Sequence, residues 1–171
     1  EGRLRIYAST QAHSSVEKGA GVAGFGRKNL VRVAIRSDYS IDPEALEKAI
    51  EKDLAQGFTP CCVVATLGTT GTTAIDSLSE VGAVCRKHGL WLHVDAALAG
   101  TALLLPEMRW MIRGIEYVDS LVFNPHKWMF TNFDCSAYFV RDAASLIRTF
   151  EILPEYLKTR TRGEVNDYRD W

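Results

Sequence analysis

The sequence predicts an α/β domain built on a mostly parallel sheet sandwiched by helices. Short apolar runs of strand character recur along the 171 residues, with segments of helical apolar spacing between them. Good helix starts open those segments, in Asp42-Pro43-Glu44 and in Ser77-Leu78-Ser79-Glu80. The polar residues of most chemical interest come directly after strands, and parallel sheets gather ligands at the carboxyl ends of their strands.

Leu4-Arg5-Ile6-Tyr7-Ala8 alternates and reads as the first strand. A polar turn leads to His13-Ser14-Ser15-Val16-Glu17-Lys18, which opens a helix, and Leu30-Val31-Arg32-Val33-Ala34-Ile35 is the second strand. Asp42 suits an N-cap and Pro43 a first helical turn; Leu46, Ala49, Ile50 and Leu54 then share one face, and Gly57 is the stop. Cys61-Cys62-Val63-Val64-Ala65 is apolar throughout, as expected of a strand covered on both faces. Ser77 caps a helix ending near Gly89, and Leu90-Trp91-Leu92-His93-Val94 is a buried strand closing on Asp95. A short helical stretch surrounds Pro106-Glu107-Met108-Arg109-Trp110. Ser120-Leu121-Val122-Phe123 and Ser136-Ala137-Tyr138-Phe139-Val140 are the last strands. Too few residues join them for a helical crossover, so that pair is expected to be antiparallel.

Apolar residues make up 47% and charged residues 24% of the chain, ordinary for a soluble globular domain. A net charge of −1 gives no reason to expect nucleic acid, an acidic membrane surface or a polyanionic substrate. No apolar run approaches the roughly 18–20 residues of a membrane span. The four cysteines lack zinc-ligand spacing and read as small reduced core residues, which suits the cytoplasm. With no initiator Met, no signal peptide and no terminating pattern at Trp171, the chain is expected to be an internal fragment.

Gly19-Ala20-Gly21-Val22-Ala23-Gly24 satisfies the dinucleotide pattern G-x-G-x-x-G, with Asp38 downstream. Those glycines would have to lie between a strand and a helix N-terminus. Here they follow helical sequence, so they read as a glycine-rich helix end and turn.

The candidate chemistry centres on Asn124-Pro125-His126-Lys127-Trp128. Lys127 follows a buried strand, and burial favours the neutral amine that condenses with carbonyls; the blander reading is a charge snorkelling from a strand end. Asp95 at another strand end must find a cation or several donors. It is either a cap or ion-pair member, or the partner of a protonated pyridine nitrogen. Ala96 and Ala97 leave room for a flat ring. His13 is either a helix-start residue or an aromatic plate stacked on such a ring. The Thr69-Thr70 turn is a hydroxyl-rich connection that can serve phosphate or phenolate oxygens, and Asn124 and His126 suit similar contacts. Each bland reading wins alone; together they lose, because all these groups are predicted at one edge of one sheet.

Five blocks in order carry a family resemblance: Gln11-Ala12-His13-Ser14-Ser15-Val16-Glu17, Val64-Ala65-Thr66-Leu67-Gly68-Thr69-Thr70, Trp91-Leu92-His93-Val94-Asp95-Ala96-Ala97, Asn124-Pro125-His126-Lys127-Trp128 and Asn132-Phe133-Asp134-Cys135-Ser136. With them the chain resembles the middle of a group II pyridoxal-phosphate-dependent amino-acid decarboxylase of the aromatic-L-amino-acid (DOPA, tryptophan, tyrosine) type. The resemblance implies the large domain of fold-type I pyridoxal phosphate enzymes over residues 1–150. It implies a mobile catalytic loop over residues 151–171, leading to a C-terminal part outside this chain.

By the same resemblance Lys127 is the Schiff-base lysine, Asp95 the partner of the pyridine nitrogen, and His13 a catalytic residue stacked on the ring opposite Ala97. Thr70, Asn124 and His126 contact the cofactor, and Tyr156, in Pro154-Glu155-Tyr156-Leu157-Lys158, returns a proton to the substrate α-carbon. Related aldehyde-forming enzymes tend to lack this tyrosine or the stacking histidine; this sequence has both, which implies simple decarboxylation to an amine and CO2. Leu98 stands where many animal and plant members have tyrosine, and residues 24–29 form a longer segment than in animal members. The implied assembly is a homodimer with its site at the subunit interface. The competing expectations are a glutamate- or sulfinoalanine-type decarboxylase, an aromatic aldehyde synthase, a non-catalytic fragment, and a nicotinamide-binding protein.

Overall fold

In the computed structural model residues 2–150 are described. Six strands form one sheet in the order β2-β1-β3-β4-β5-β6. They are β1 (Leu4–Ser9), β2 (Leu30–Val33), β3 (Thr59–Thr66), β4 (Trp91–Asp95), β5 (Ser120–Phe123) and β6 (Ala137–Val140). The pairs β1·β2, β1·β3, β3·β4 and β4·β5 are all parallel. The mostly parallel α/β architecture expected from the sequence is present.

The helices are set by local chemistry. In α1 (Ser14–Val22) the N-cap is His13, whose Nδ1 accepts from the Ser15 amide at 3.2 Å. In α2 (Pro43–Ala55) the Asp42 carboxylate accepts from Glu44 and Ala45 amides, with Pro43 pre-set for the first turn. The α3 helix (Leu78–His88) starts from Ser77, which accepts from the Glu80 amide, and stops at left-handed Gly89. The glycines at 19 and 21 lie inside α1, which excludes the dinucleotide geometry.

Register and connectivity divide the sheet into two unlike faces. Tyr7, Val63, Ala65, Leu92 and Val94 point to the face covered by Leu46 and Ile50 of α2 and Val81, Val84 and Cys85 of α3. Complete burial of side chains such as Leu46 and Ile50 contributes about 1.5–3 kcal/mol each. The opposite face carries Ile6, Ala8, Val64 and Leu30 under Ala20 and Val16 of α1. Right-handed crossovers explain the division. From β1 to β2 the chain steps one way and α1 falls on one face. From β2 to β3, then to β4 and β5, it steps the other way. The connections then fall on the opposite face, where Ile112, Tyr117 and Val118 join the same core. No helix of the described residues therefore covers the α1 face over β4 and β5.

The β4–β5 connection contains three 3-10 segments, Ala99–Leu104, Pro106–Ile112 and Ile115–Tyr117. Beyond β5, Pro125–Trp128 forms one helical turn, α4. A second compact unit begins at Val140. Within it α5 (Ala143–Phe150) starts where the Asp142 carboxylate accepts from the Ala144 amide at 3.0 Å; Ala143, Leu146, Ile147 and Phe150 recur at helical spacing, a signal outside the elements expected above.

Candidate active site

The uncovered part of the α1 face is a cavity of about 500 Å³. Its wall follows from strand register: Thr66 of β3 lies opposite Asp95 of β4, which lies opposite Val122 of β5, all on one face. Six residues singled out from the sequence line it: His13, Thr70, Asp95, Ala97, Asn124 and Lys127. Thr66, His93, Leu98 and Ser136 line it as well.

Backbone bonds hold its segments together. The Leu67 amide donates to the Asp95 carbonyl at 2.9 Å, tying the threonine turn to the end of β4. The Asn124 amide donates to the Ala97 carbonyl at 3.3 Å, tying the lysine turn to the same strand end. Gly68 makes the first junction close: a Cβ there would lie 2.6 Å from Ala99 Cβ, and its φ of +81° favours glycine. Within the threonine turn, buried Thr69 accepts from the Ala74 amide at 3.0 Å and shares a 2.8 Å bond with Thr72, leaving Thr70 exposed at the cavity.

Asp95 Oδ1 accepts from the Ala97 amide at 3.1 Å. Asp95 enters no ion pair among the described residues. A half-buried carboxylate with one backbone donor and no cation is ready to receive one. Thr66 is 4% exposed, and its hydroxyl has no hydrogen-bond partner among the described residues. Cys62, also in the wall, has its thiol pushed up to about 12, chiefly by burial, so it is an inert apolar surface.

Lys127 is exposed, which corrects the expectation of a buried amine. The strand ends at Phe123 and α4 begins beyond the sheet, so Pro125 takes the buried position and Lys127 sits at the cavity rim. His126 does not line the cavity. Its Nδ1 lies 2.7 Å from the Cys135 carbonyl oxygen and 3.1 Å from the Cys135 amide. One backbone residue therefore holds the ring whether Nδ1 donates or accepts, and Phe133 packs edge-on at 4.8 Å. Tyr156 lies outside the described residues. Thr66 and His93 were not singled out from the sequence. The alternation Trp91, His93, Asp95 along β4 places all three on the cavity face and was the signal available for the histidine.

The family model described as the pyridoxal-dependent decarboxylase conserved domain matches residues 1–171, the entire chain. The chain belongs to this family. Its relatives include the histidine decarboxylase of Rattus norvegicus, 50% identical over 99% of this chain and 25% of that protein. The aromatic-L-amino-acid decarboxylase of Drosophila lebanonensis is 51% identical over 99% of this chain and 41% of that protein. Among solved structures, Oryza sativa TDC with PLP and tryptamine superposes with a TM-score of 0.89 at 41% identity, over 96% of this chain and 34% of that one. The chain thus spans roughly a quarter to two-fifths of the lengths of these relatives.

The family's cofactor, pyridoxal phosphate, presents an aldehyde, a basic ring nitrogen and several oxygen acceptors. The cavity presents an amine at Lys127, a carboxylate at Asp95 that enters no ion pair among the described residues, and hydroxyls at Thr66 and Thr70. The residues present fit the group.

Proposed function

We propose that the full-length protein is a pyridoxal-phosphate-dependent carboxy-lyase that converts an aromatic L-amino acid to its amine and CO2. One observation carries the reading: an amine, Lys127, and a carboxylate with no ion pair among the described residues, Asp95, face one cavity beyond adjacent strand ends. Lys127 would hold the cofactor covalently, and the small Ala97 would let the ring lie flat. Bound there, the cofactor supplies an electron sink for the charge left when CO2 departs.

The chain's own residues do the rest. Asp95 accepts a hydrogen bond from the ring nitrogen, and its negative charge holds a proton at that atom. His13 offers its ring face from the start of α1, where the Ser15 bonds at Nδ1 fix its orientation. Thr70 and Asn124 donate to cofactor oxygens. His126 acts one step removed in this reading, by fixing residues 133–135 beside α4. Tyr156, outside the described residues, returns a proton to the α-carbon.

The working form is proposed to be a homodimer whose interface completes the site. In support, Phe130 is 96% and Phe133 85% exposed, an apolar surface next to Lys127 of the kind partners cover. Four free cysteines support action in the cytoplasm. No helix of the described residues is long and apolar enough to cross a membrane.

Histidine is the second substrate reading, because the histidine decarboxylase relative is as similar as the aromatic one. A product assay of the full-length protein over aromatic amino acids, histidine, glutamate and cysteine sulfinate separates the readings. Aromatic amine as the main product supports the proposal. Imidazole amine supports the histidine reading, aldehyde an aldehyde synthase, and no product from any of them overturns the proposal. Tyr156→Phe is expected to shift product from amine towards aldehyde; unaltered amine output removes that tyrosine from the role of proton donor.

A further inference from the structure

A hydrogen-bond chain along the β4–β5 seam ends at the cavity and takes no part in the chemistry above. The indole Nε1 of Trp91 donates to Ser120 Oγ at 2.8 Å, and Ser120 Oγ lies 2.8 Å from His93 Nδ1. Proton counting fixes the direction. An indole only donates, so Ser120 accepts from Trp91 and has one hydroxyl hydrogen left to place. Ser120 is 3% exposed, and among the described residues its side-chain oxygen has one other partner, His93 Nδ1. Were Nδ1 protonated, Ser120 would accept twice and its buried hydrogen would lack an acceptor, at a cost of about 1–3 kcal/mol. Nδ1 is therefore the acceptor, and the imidazole hydrogen resides on Nε2.

The rest of the environment points the same way. Burial pushes the His93 imidazole below its ordinary range, with Asp95 opposing, which favours the neutral ring. Tyr138 stacks on it, centroids 6.2 Å apart at 28°. Nε2 has no hydrogen-bond partner among the described residues. His93 and Asp95 share the cavity face of β4, and same-face neighbours on a strand have their Cβ atoms about 7 Å apart.

We propose that His93 is a positioning residue for Asp95: Trp91 and Ser120 lock its imidazole as the Nε2–H tautomer, a neutral donor that orients the carboxylate for the cofactor's ring nitrogen. A neutral donor suits this task better than a cation, which would draw the charge of Asp95 away from the ring. The proposal rests on the reading of Asp95 as the ring partner.

Two substitutions in the full-length protein separate this role from a scaffolding one. His93→Asn retains an acceptor near the Nδ1 position and loses the far donor. His93→Gln loses the near acceptor and retains a donor amide near the Nε2 position. The expected order of pyridoxal phosphate affinity for the apo-protein is wild type, then Gln, then Asn, with Asn about tenfold weaker than wild type. The visible absorption band of the bound cofactor is expected to move most in Asn. Equal effects, or Asn retaining more affinity than Gln, overturn the proposal. Long-range nitrogen–proton correlation spectra of the wild-type apo-protein give a test that needs no variant to fold: a protonated Nε2 at His93 is expected, and a protonated Nδ1 overturns the assignment. Wild-type protein that takes up no pyridoxal phosphate overturns the reading of the site itself, whereas normal uptake left unchanged by His93→Asn overturns only the part given to His93.

Discussion

The two faces of the sheet are made from the same strands, residue by alternate residue, yet they are unlike in kind. On one, Tyr7, Val63, Leu92 and Val94 are fully buried beneath α2 and α3. On the other, Thr66, His93 and Asp95 stand in the wall of an open cavity. Period-two alternation supplies both sets, and crossover direction decides which is covered. One face holds the fold together and the other is left free to hold a ligand.

Substitutions can break or sharpen this contrast. On the open face, Lys127→Ala in the full-length enzyme is expected to abolish the visible imine absorption of the bound cofactor while thermal unfolding of the apo-protein stays within about 0.5 kcal/mol. An unchanged spectrum would sink the lysine assignment. On the filled face, Leu46→Ala is expected to cost about 2–5 kcal/mol in denaturant unfolding, with the cofactor spectrum of the folded fraction unaltered; a shifted spectrum would show that the faces are not independent. If Asp95 holds the ring nitrogen as proposed, Asp95→Asn removes a charge-assisted bond of about 1.5–3 kcal/mol, so cofactor affinity is expected to fall about 10–100-fold in an equilibrium titration, with little change in stability.

Asp76 tests the rim where the faces meet. It is fully buried and accepts from the Ile41 and Thr66 amides at 2.7 Å each. Burial pushes its carboxyl up to about 6 from 3.8, against those two bonds. The folded state thus binds this proton more tightly than the unfolded chain does. Stability from this group is highest below about pH 4, falls as pH rises to about 6, and is level above that. The change across that window is about 1–3 kcal/mol, and unfolding curves of Asp76→Asn should lack this slope. The smallest effect is expected at the surface pair Arg36–Glu80, whose side chains are 41% and 46% exposed: Arg36→Ala is expected to cost less than about 1 kcal/mol in the same assay, and less still in high salt.

Much of this arrangement was legible in the sequence because it rests on local chemistry. Asp42-Pro43 and Ser77 announce their helices, and apolar runs announce β3, β4 and β5. The placement of Asp95, Thr70, Asn124 and Lys127 at one sheet edge follows from the rule that parallel strands present their carboxyl ends together. Other features depend on register or side-chain direction, which no single segment encodes. Thr66 becomes notable only when β3 pairs it with Asp95. His126 neighbours Lys127 in sequence, yet it turns to Cys135. Lys127 follows an apolar strand, but the turn begun by Pro125 carries it outward. The α5 helix carries two local signals, Asp142 as a cap and the helical spacing of Ala143, Leu146, Ile147 and Phe150, so it was legible in principle although not among the expected elements.

The one-sided crossovers also bear on how such a protein changes over time. The residues that shape the cavity are separate from those that fill the core under α2 and α3, so a substitution at Leu98 or in the threonine turn need not disturb Leu46 or Leu92. Altered ligand preference of the cavity can then be reached in single steps, each nearly neutral for folding, with no stabilising change required beforehand.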